Sequence, residues 1–157
     1  MRKLRLYFDT SVFNFAFADD APLEREVTLK LIAEVKSGKY DVYISEIVLR
    51  EIYEAPSKKA EASMRLVAGI NPVEITFDED CHQLAMEYVN RGIIPKKYED
   101  DAFHIAVASA NDTDVLVSWN FQHIVKLKTQ REVSATNLLM GYRAIEICSP
   151  MEVIDNG

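Results

Sequence analysis

Leu4-Arg5-Leu6-Tyr7-Phe8-Asp9-Thr10-Ser11 decides how this chain is read. A short run of apolar and aromatic side chains ends abruptly in a carboxylate followed by two hydroxyls, as a buried strand does where it meets a polar rim. In open parallel sheets, ligands bind outside the carboxyl ends of the strands, so Asp9 stands where a site belongs. Asp9 or Thr10 can equally cap a helix beginning near Val12, and at this point both readings stay open.

The same kind of run recurs at Leu4 to Phe8, Val42 to Ser45, Val73 to Phe77, Val115 to Ser118 and Ala144 to Cys148. Longer helix-like stretches separate them, and that alternation predicts an α/β fold with a central parallel sheet. From Pro22 to about Lys36, Leu23, Val27, Leu31 and Val35 recur every four residues, and Gly38 follows as a C-terminal stop. Asp78 is placed to cap a helix carrying Cys81, Leu84, Ala85, Tyr88 and Val89, which Gly92 ends. Ala102 to Ala110 is apolar nearly all round apart from His104 and Ser109, so it reads as a buried helix. At 157 residues, 48% hydrophobic and 27% charged, the chain is expected to fold as a single domain over residues 1–157.

A net charge of −7 and a pI near 5.0 exclude a protein that coats nucleic acid through a broad basic face. They leave a nuclease open, because carboxylates gathered for a cation contribute to that total and phosphate contacts can be local. Lys58-Lys59, Lys96-Lys97 and Lys126-Leu127-Lys128 read as solvated faces. Cys81 and Cys148 are far apart and outside any Cys-x-x-Cys spacing, which points to an intracellular, cytoplasmic protein without a disulfide framework. No stretch approaches the roughly 20 apolar residues of a membrane span, and the N-terminal apolar run is too short for a signal peptide.

Three more positions join Asp9. Ser45 is placed to cap a helix in which Glu51 lies four residues after Ile47, at the border of the apolar stripe. Glu99-Asp100-Asp101 opens the buried helix, with Asp100 as a candidate N-cap and Asp101 on the face of His104, Ile105 and Ala108. The fourth strand ends in Ser118-Trp119-Asn120-Phe121-Gln122-His123, with Trp119 and Phe121 read as packing residues. Strand ends and a helix start thus offer oxygen ligands to one edge of the sheet. Clustered carboxylates repel one another unless a cation neutralises them, and oxygen-only ligation selects Mg²⁺ or Mn²⁺. The chemistry this suggests is phosphodiester hydrolysis by a metal-activated water.

On Phe8-Asp9-Thr10-Ser11, Ser45 to Ile52, Asp101 to Ala106 and Val117 to Phe121, in this order and spacing, the chain resembles the PIN-domain family, whose best-known members are VapC-type toxins. The resemblance spans nearly the whole chain. It implies a three-layer α/β/α fold and a Mg²⁺- or Mn²⁺-dependent endoribonuclease acting on RNA, with Asp9, Glu51 and Asp101 as the metal-holding acids. A toxin role would add a protein antitoxin as partner and a homodimer. Many members end the fourth strand in Thr-x-Asp, and here the matching residues are Ser118 and Asn120, expected to orient water or phosphate. Asn120 keeps an oxygen but loses a charge, and Asp100, about 100° around the helix from Asp101, does not replace it. His123 is a candidate for phosphate contact or proton transfer. The alternative is a PIN-like binding domain with weak or no turnover. A receiver-like phosphotransfer domain fits less well, since no lysine follows the last strand and no Gly-rich phosphate loop is present.

Overall fold

The computed structural model describes residues 2–154. Its strands are β1 (Arg5–Phe8), β2 (Asp41–Ser45), β3 (Val73–Ile75), β4 (Val115–Val117) and β5 (Glu146–Cys148). They form one all-parallel sheet in the order β3-β2-β1-β4-β5. The chain moves outward from β1 to β2 and β3, then returns to lay β4 on the other side of β1. The reversal opens a crevice at the carboxyl ends of β1 and β4.

The helices are α1 (Thr10–Phe15), α2 (Pro22–Lys36), α3 (Glu46–Tyr53), α4 (Ser57–Ile70), α5 (Glu79–Asn90), α6 (Glu99–Ala110), α7 (Leu127–Leu139) and α8 (Pro150–Val153), with a 3₁₀ turn at Lys96–Tyr98. They flank the sheet in the expected α/β/α arrangement. β1 is the centre of the core, and Leu6, Tyr7 and Phe8 are fully buried. Burying such side chains contributes roughly 1.5–3 kcal/mol each. Alternation along the strand sends Phe8 to one face, where its ring meets Phe13 of α1 at 6.0 Å, and Tyr7 to the other, where it meets His104 of α6.

The helix punctuation follows the sequence. Pro22 opens α2, and Gly38 follows its end at φ +88°, a conformation a side chain would strain. Asp78 caps α5 by accepting from the Cys81 N–H at 3.0 Å. Asp100 departs from expectation: α6 begins after Tyr98 with no side-chain cap, and Glu99, Asp100 and Asp101 all lie in its first turn. Asp100 instead accepts from Arg50 at 2.7 Å, so its charge is matched by α3. Four strands are also shorter than their apolar runs, while β2 begins one residue earlier than its run, at Asp41. β4 ends at Val117, although the Ser118 N–H still donates to the Cys148 carbonyl at 3.0 Å, and β3 ends at Ile75, beyond which the Phe77 N–H donates to Glu46. For a domain assigned to 1–157, residue 1 and residues 155–157 lie outside the described residues.

Asp114 ties the opposite ends of β1 and β4 together. Its carboxylate accepts from the Arg5 N–H at 2.8 Å and from the Arg2 guanidinium at 3.0 and 3.2 Å, while its own N–H donates to the Arg5 carbonyl at 2.8 Å. Burial pushes the Asp114 carboxyl up, but Arg2 and the Arg5 N–H outweigh it and hold the group below the usual range. A lowered folded pKa stabilises above the unfolded value of about 3.9, and that contribution is lost as pH falls through the folded pKa. Asp114→Ala is expected to lower stability by about 1–2 kcal/mol at neutral pH. Urea melts of both proteins would show the gap closing in acid.

Candidate active site

Asp9 is the residue at which β1 becomes α1. Its backbone N–H continues the strand ladder to the Val117 carbonyl at 3.3 Å, and its Oδ1 accepts from the Ser11 N–H at 3.1 Å and the Ser11 hydroxyl at 2.5 Å. Asp9 therefore does cap α1, and it faces the crevice as well. Ser118 donates to its Oδ2 at 2.5 Å, so each carboxylate oxygen carries one hydroxyl. Both hydroxyls are held in turn: Ser11 Oγ accepts from the Trp119 N–H at 2.8 Å, and Ser118 Oγ from the Asn120 N–H at 2.9 Å. These bonds stitch the end of β4 to the end of β1. Burial pushes the Asp9 carboxyl up, and this outweighs the lowering influences of His104, Ser11 and Ser118.

Glu51 reaches the crevice from α3, whose start is fixed by Ser45 accepting from the Ile47 N–H at 3.2 Å. Its Oε1 takes two hydrogen bonds, from the Thr10 hydroxyl at 2.7 Å and from His104 Nε2 at 2.6 Å. Burial raises this carboxyl too, but His104, Thr10 and the Arg50 charge outweigh it, leaving Glu51 below its ordinary pKa. The pull is mutual. Burial lowers His104, yet Glu51, Asp9 and Asp101 lift it above its ordinary value.

Asp101 enters from the first turn of α6. His123 Nδ1 lies 3.1 Å from its Oδ2, and the His123 ring stacks on Tyr98 at 4.2 Å. Burial raises Asp101 more than His104, the Asn120 amide and His123 lower it. Asn120 is spoken for on its oxygen side, since Oδ1 accepts from the His123 N–H at 2.9 Å and closes the turn after β4.

Asp9, Glu51, Asp101 and Asn120 line one cleft of about 340 Å³, together with Thr10, Ser11, Asn14, Glu54, Lys59 and His104. Ser118 lies beneath, fully buried. All five residues singled out in the sequence are thus brought to one place. Among the described residues, no three His, Cys, Asp or Glu side chains close on a common point as a preformed metal cluster. The carboxylates border the cleft from separate elements, each with its own hydroxyl or imidazole partner. A wider groove of about 800 Å³, lined by Phe15, Phe17 and Lys58, shares Asn14 and Lys59 with the cleft.

Sequence reasoning left four contributors unassigned. Thr10 and Ser11 were legible as hydroxyls after Asp9 but carried no partner, and Tyr7 read only as strand core. His104 had a signal: it is a polar side chain in a helix with almost no polar surface. Trp119 and Phe121 divide, Trp119 being buried with its indole N–H donating to Thr28 at 2.8 Å, while Phe121 is exposed with its ring edge-on to Trp119 at 6.1 Å.

Comparison with known proteins agrees with this fold. The family model described as PIN domain matches residues 6–122, which include Asp9, Glu51, Asp101, Ser118 and Asn120. No curated protein sequence matches the chain significantly. Among solved structures, VapBC2 from Rickettsia felis, bound to a DNA fragment from its promoter, matches with a TM-score of 0.57 at 16% identity. The match covers 93% of this chain and 98% of that one, a likeness of fold.

Proposed function

Because the chain belongs to the PIN-domain family, we propose that it is a Mg²⁺- or Mn²⁺-dependent endoribonuclease and the toxin of a toxin-antitoxin pair. The observation that carries this reading is that Asp9, Glu51 and Asp101, from three separate elements, line one cleft at the point where the strand order reverses. The donor set suits a hard cation. Mg²⁺ keeps several waters and takes only one or two carboxylates directly, so acids spaced around a cleft fit an ion that stays largely hydrated. When bound, the ion would supply an activated water and neutralise charge developing on the phosphate.

The chain's own residues prepare the cleft for that chemistry. Ser11 and Ser118 hold both oxygens of Asp9, Thr10 and His104 hold one oxygen of Glu51, and His123 lies against Asp101. Lys59 at the rim provides a positive charge for the RNA backbone in a protein that is otherwise acidic. In this reading Ser118 orients Asp9, and Asn120, whose oxygen accepts from the His123 N–H, keeps its amide N–H₂ for water or phosphate. By likeness to the Rickettsia felis complex and to VapC-type toxins, the partners are a protein antitoxin and a second copy of the chain. Among the described residues no helix is long and apolar enough to cross a membrane, and the cytoplasm is the compartment we assign.

Asn120 favours a second reading, a PIN-like binding domain with little turnover, since the cleft has one charge fewer than an all-acid site. Incubation of the purified protein with single-stranded and structured RNA, with Mn²⁺ and then with chelator, separates the two. Cleavage that chelation abolishes supports the enzyme, and Mn²⁺ binding without cleavage supports the binding domain. Asn120→Asp is expected to raise Mn²⁺ affinity by roughly tenfold, about 1.4 kcal/mol, because the carboxylate can still accept from the His123 N–H while adding a charge beside Asp101. Isothermal titration of both proteins checks this.

A further inference from the structure

His104 is nearly fully buried, at 2% exposure, yet it sits in a helix whose other buried residues are almost all apolar. It is connected on both sides. Nδ1 lies 2.8 Å from the Tyr7 hydroxyl, which lies 2.7 Å from Ser45 Oγ, and Ser45 Oγ accepts from the Ile47 N–H. Nε2 lies 2.6 Å from Glu51 Oε1.

The carboxylate end sets the hydrogens along this row. Glu51 Oε1 only accepts, so the nitrogen facing it, Nε2, bears a proton and donates. In the neutral ring Nδ1 then accepts from the Tyr7 hydroxyl, the Tyr7 oxygen takes the Ser45 hydrogen, and Ser45 Oγ accepts from the Ile47 N–H. The row starts at Ser45, the cap of α3, crosses β1 and α6, and returns to α3 at Glu51, so the cap and one residue of the same helix mark its ends. Both bonds to Glu51, from His104 and Thr10, fall on Oε1. Oε2 is left as the oxygen the cleft can use.

From this geometry we propose that His104 is a positioning residue, oriented by Ser45 and Tyr7 so that Nε2 fixes Glu51 Oε1 and presents Oε2 to the bound cation. The inference rests on the metal-dependent reading above, and adds to it the outer support of one ligand. Such supports change metal affinity or activity by about 10- to 100-fold when removed.

The test has two readouts on the intact chain. Ring-nitrogen NMR of ¹⁵N-histidine protein, with the His104 signals identified by their loss in His104→Gln, reports which nitrogen bears a proton. Mn²⁺ titration compares wild type with Tyr7→Phe, His104→Gln and His104→Leu. Nε2 should bear a proton in the wild type, and its proton-bearing fraction should fall in Tyr7→Phe. Mn²⁺ affinity should fall by roughly 10- to 100-fold in His104→Leu and be partly restored in His104→Gln, whose amide N–H₂ can donate to Glu51. An unprotonated Nε2, or a folded His104→Leu with wild-type Mn²⁺ affinity, overturns the proposal and leaves the metal reading standing. Failure of the wild type itself to bind Mn²⁺ overturns both.

Discussion

Asp9→Asn should abolish RNA cleavage while leaving the metal-free fold as stable as the wild type or more so. Among the described residues, Asp9 is the one carboxylate whose two oxygens are both held by hydroxyls, Ser11 on Oδ1 and Ser118 on Oδ2, at the junction of β1 and β4. An amide of the same shape keeps that junction, because a serine hydroxyl accepts as well as donates and can turn to meet an N–H. What the substitution removes is charge. Without it, a cation is held by fewer carboxylates and stabilises the phosphate less, and a loss of about 4 kcal/mol in the transition state corresponds to roughly a thousandfold in rate. Stability runs the other way. Burial holds the Asp9 carboxyl above its usual pKa, so ionising it costs the empty fold, and that cost appears as pH rises through the folded value. The neutral amide avoids it. Measuring kcat/KM with Mn²⁺ alongside thermal melts in chelator tests both halves. Equal cleavage by the two proteins would remove Asp9 from the site, whereas a collapse of the melting temperature would make it a structural cap first.

How much of this site was legible in the sequence depends on how local each signal is. Asp9 was visible because a strand and its terminating carboxylate are neighbours in the chain, and Ser45 and Asp78 because a helix cap is decided within three residues. Glu51 and Asp101 were placed on the right faces by helical spacing, and the resemblance set their order. The supports were not legible. Tyr7 meets His104 across 97 positions, Thr10 meets Glu51 across 41, and Ser118 meets Asp9 across 109. Nothing local to those residues names the partner. Asp100 shows the opposite failure: an acid before an apolar helix looks like a cap, but Arg50, fifty positions away, gives it an ion pair inside the first turn. Asn120 was read as a missing acid, and only the fold shows its oxygen closing the turn onto the His123 N–H.

The same distance problem hides a polar knot in the core far from the cleft, and it leads to the largest structural effect expected here. Asn137→Leu should lower stability by about 3 kcal/mol, shifting the melting temperature by roughly 6–12 °C for a chain of this size. Asn137 lies on α7 with no exposed surface. Its amide donates to Ser109 of α6 at 3.0 Å and to the Arg143 carbonyl at 3.0 Å, and its oxygen accepts from the Tyr88 hydroxyl of α5. One side chain therefore satisfies groups on both neighbouring helices and on the loop that leads to β5. Leucine has nearly the same volume, so little cavity forms, and the loss comes from polar atoms stranded in an apolar layer. Each stranded group costs about 1–3 kcal/mol. Tyr88 suffers most, because its side chain is fully buried and its hydroxyl donates to the Asn137 oxygen. Adding Tyr88→Phe should then recover a good part of the loss, since it deletes the stranded hydroxyl itself. Denaturant melts of the two single variants and the double variant measure that coupling. Strictly additive losses would mean that Asn137 acts through packing alone, whereas recovery in the double variant identifies the hydroxyl as the group that Asn137 is there to satisfy.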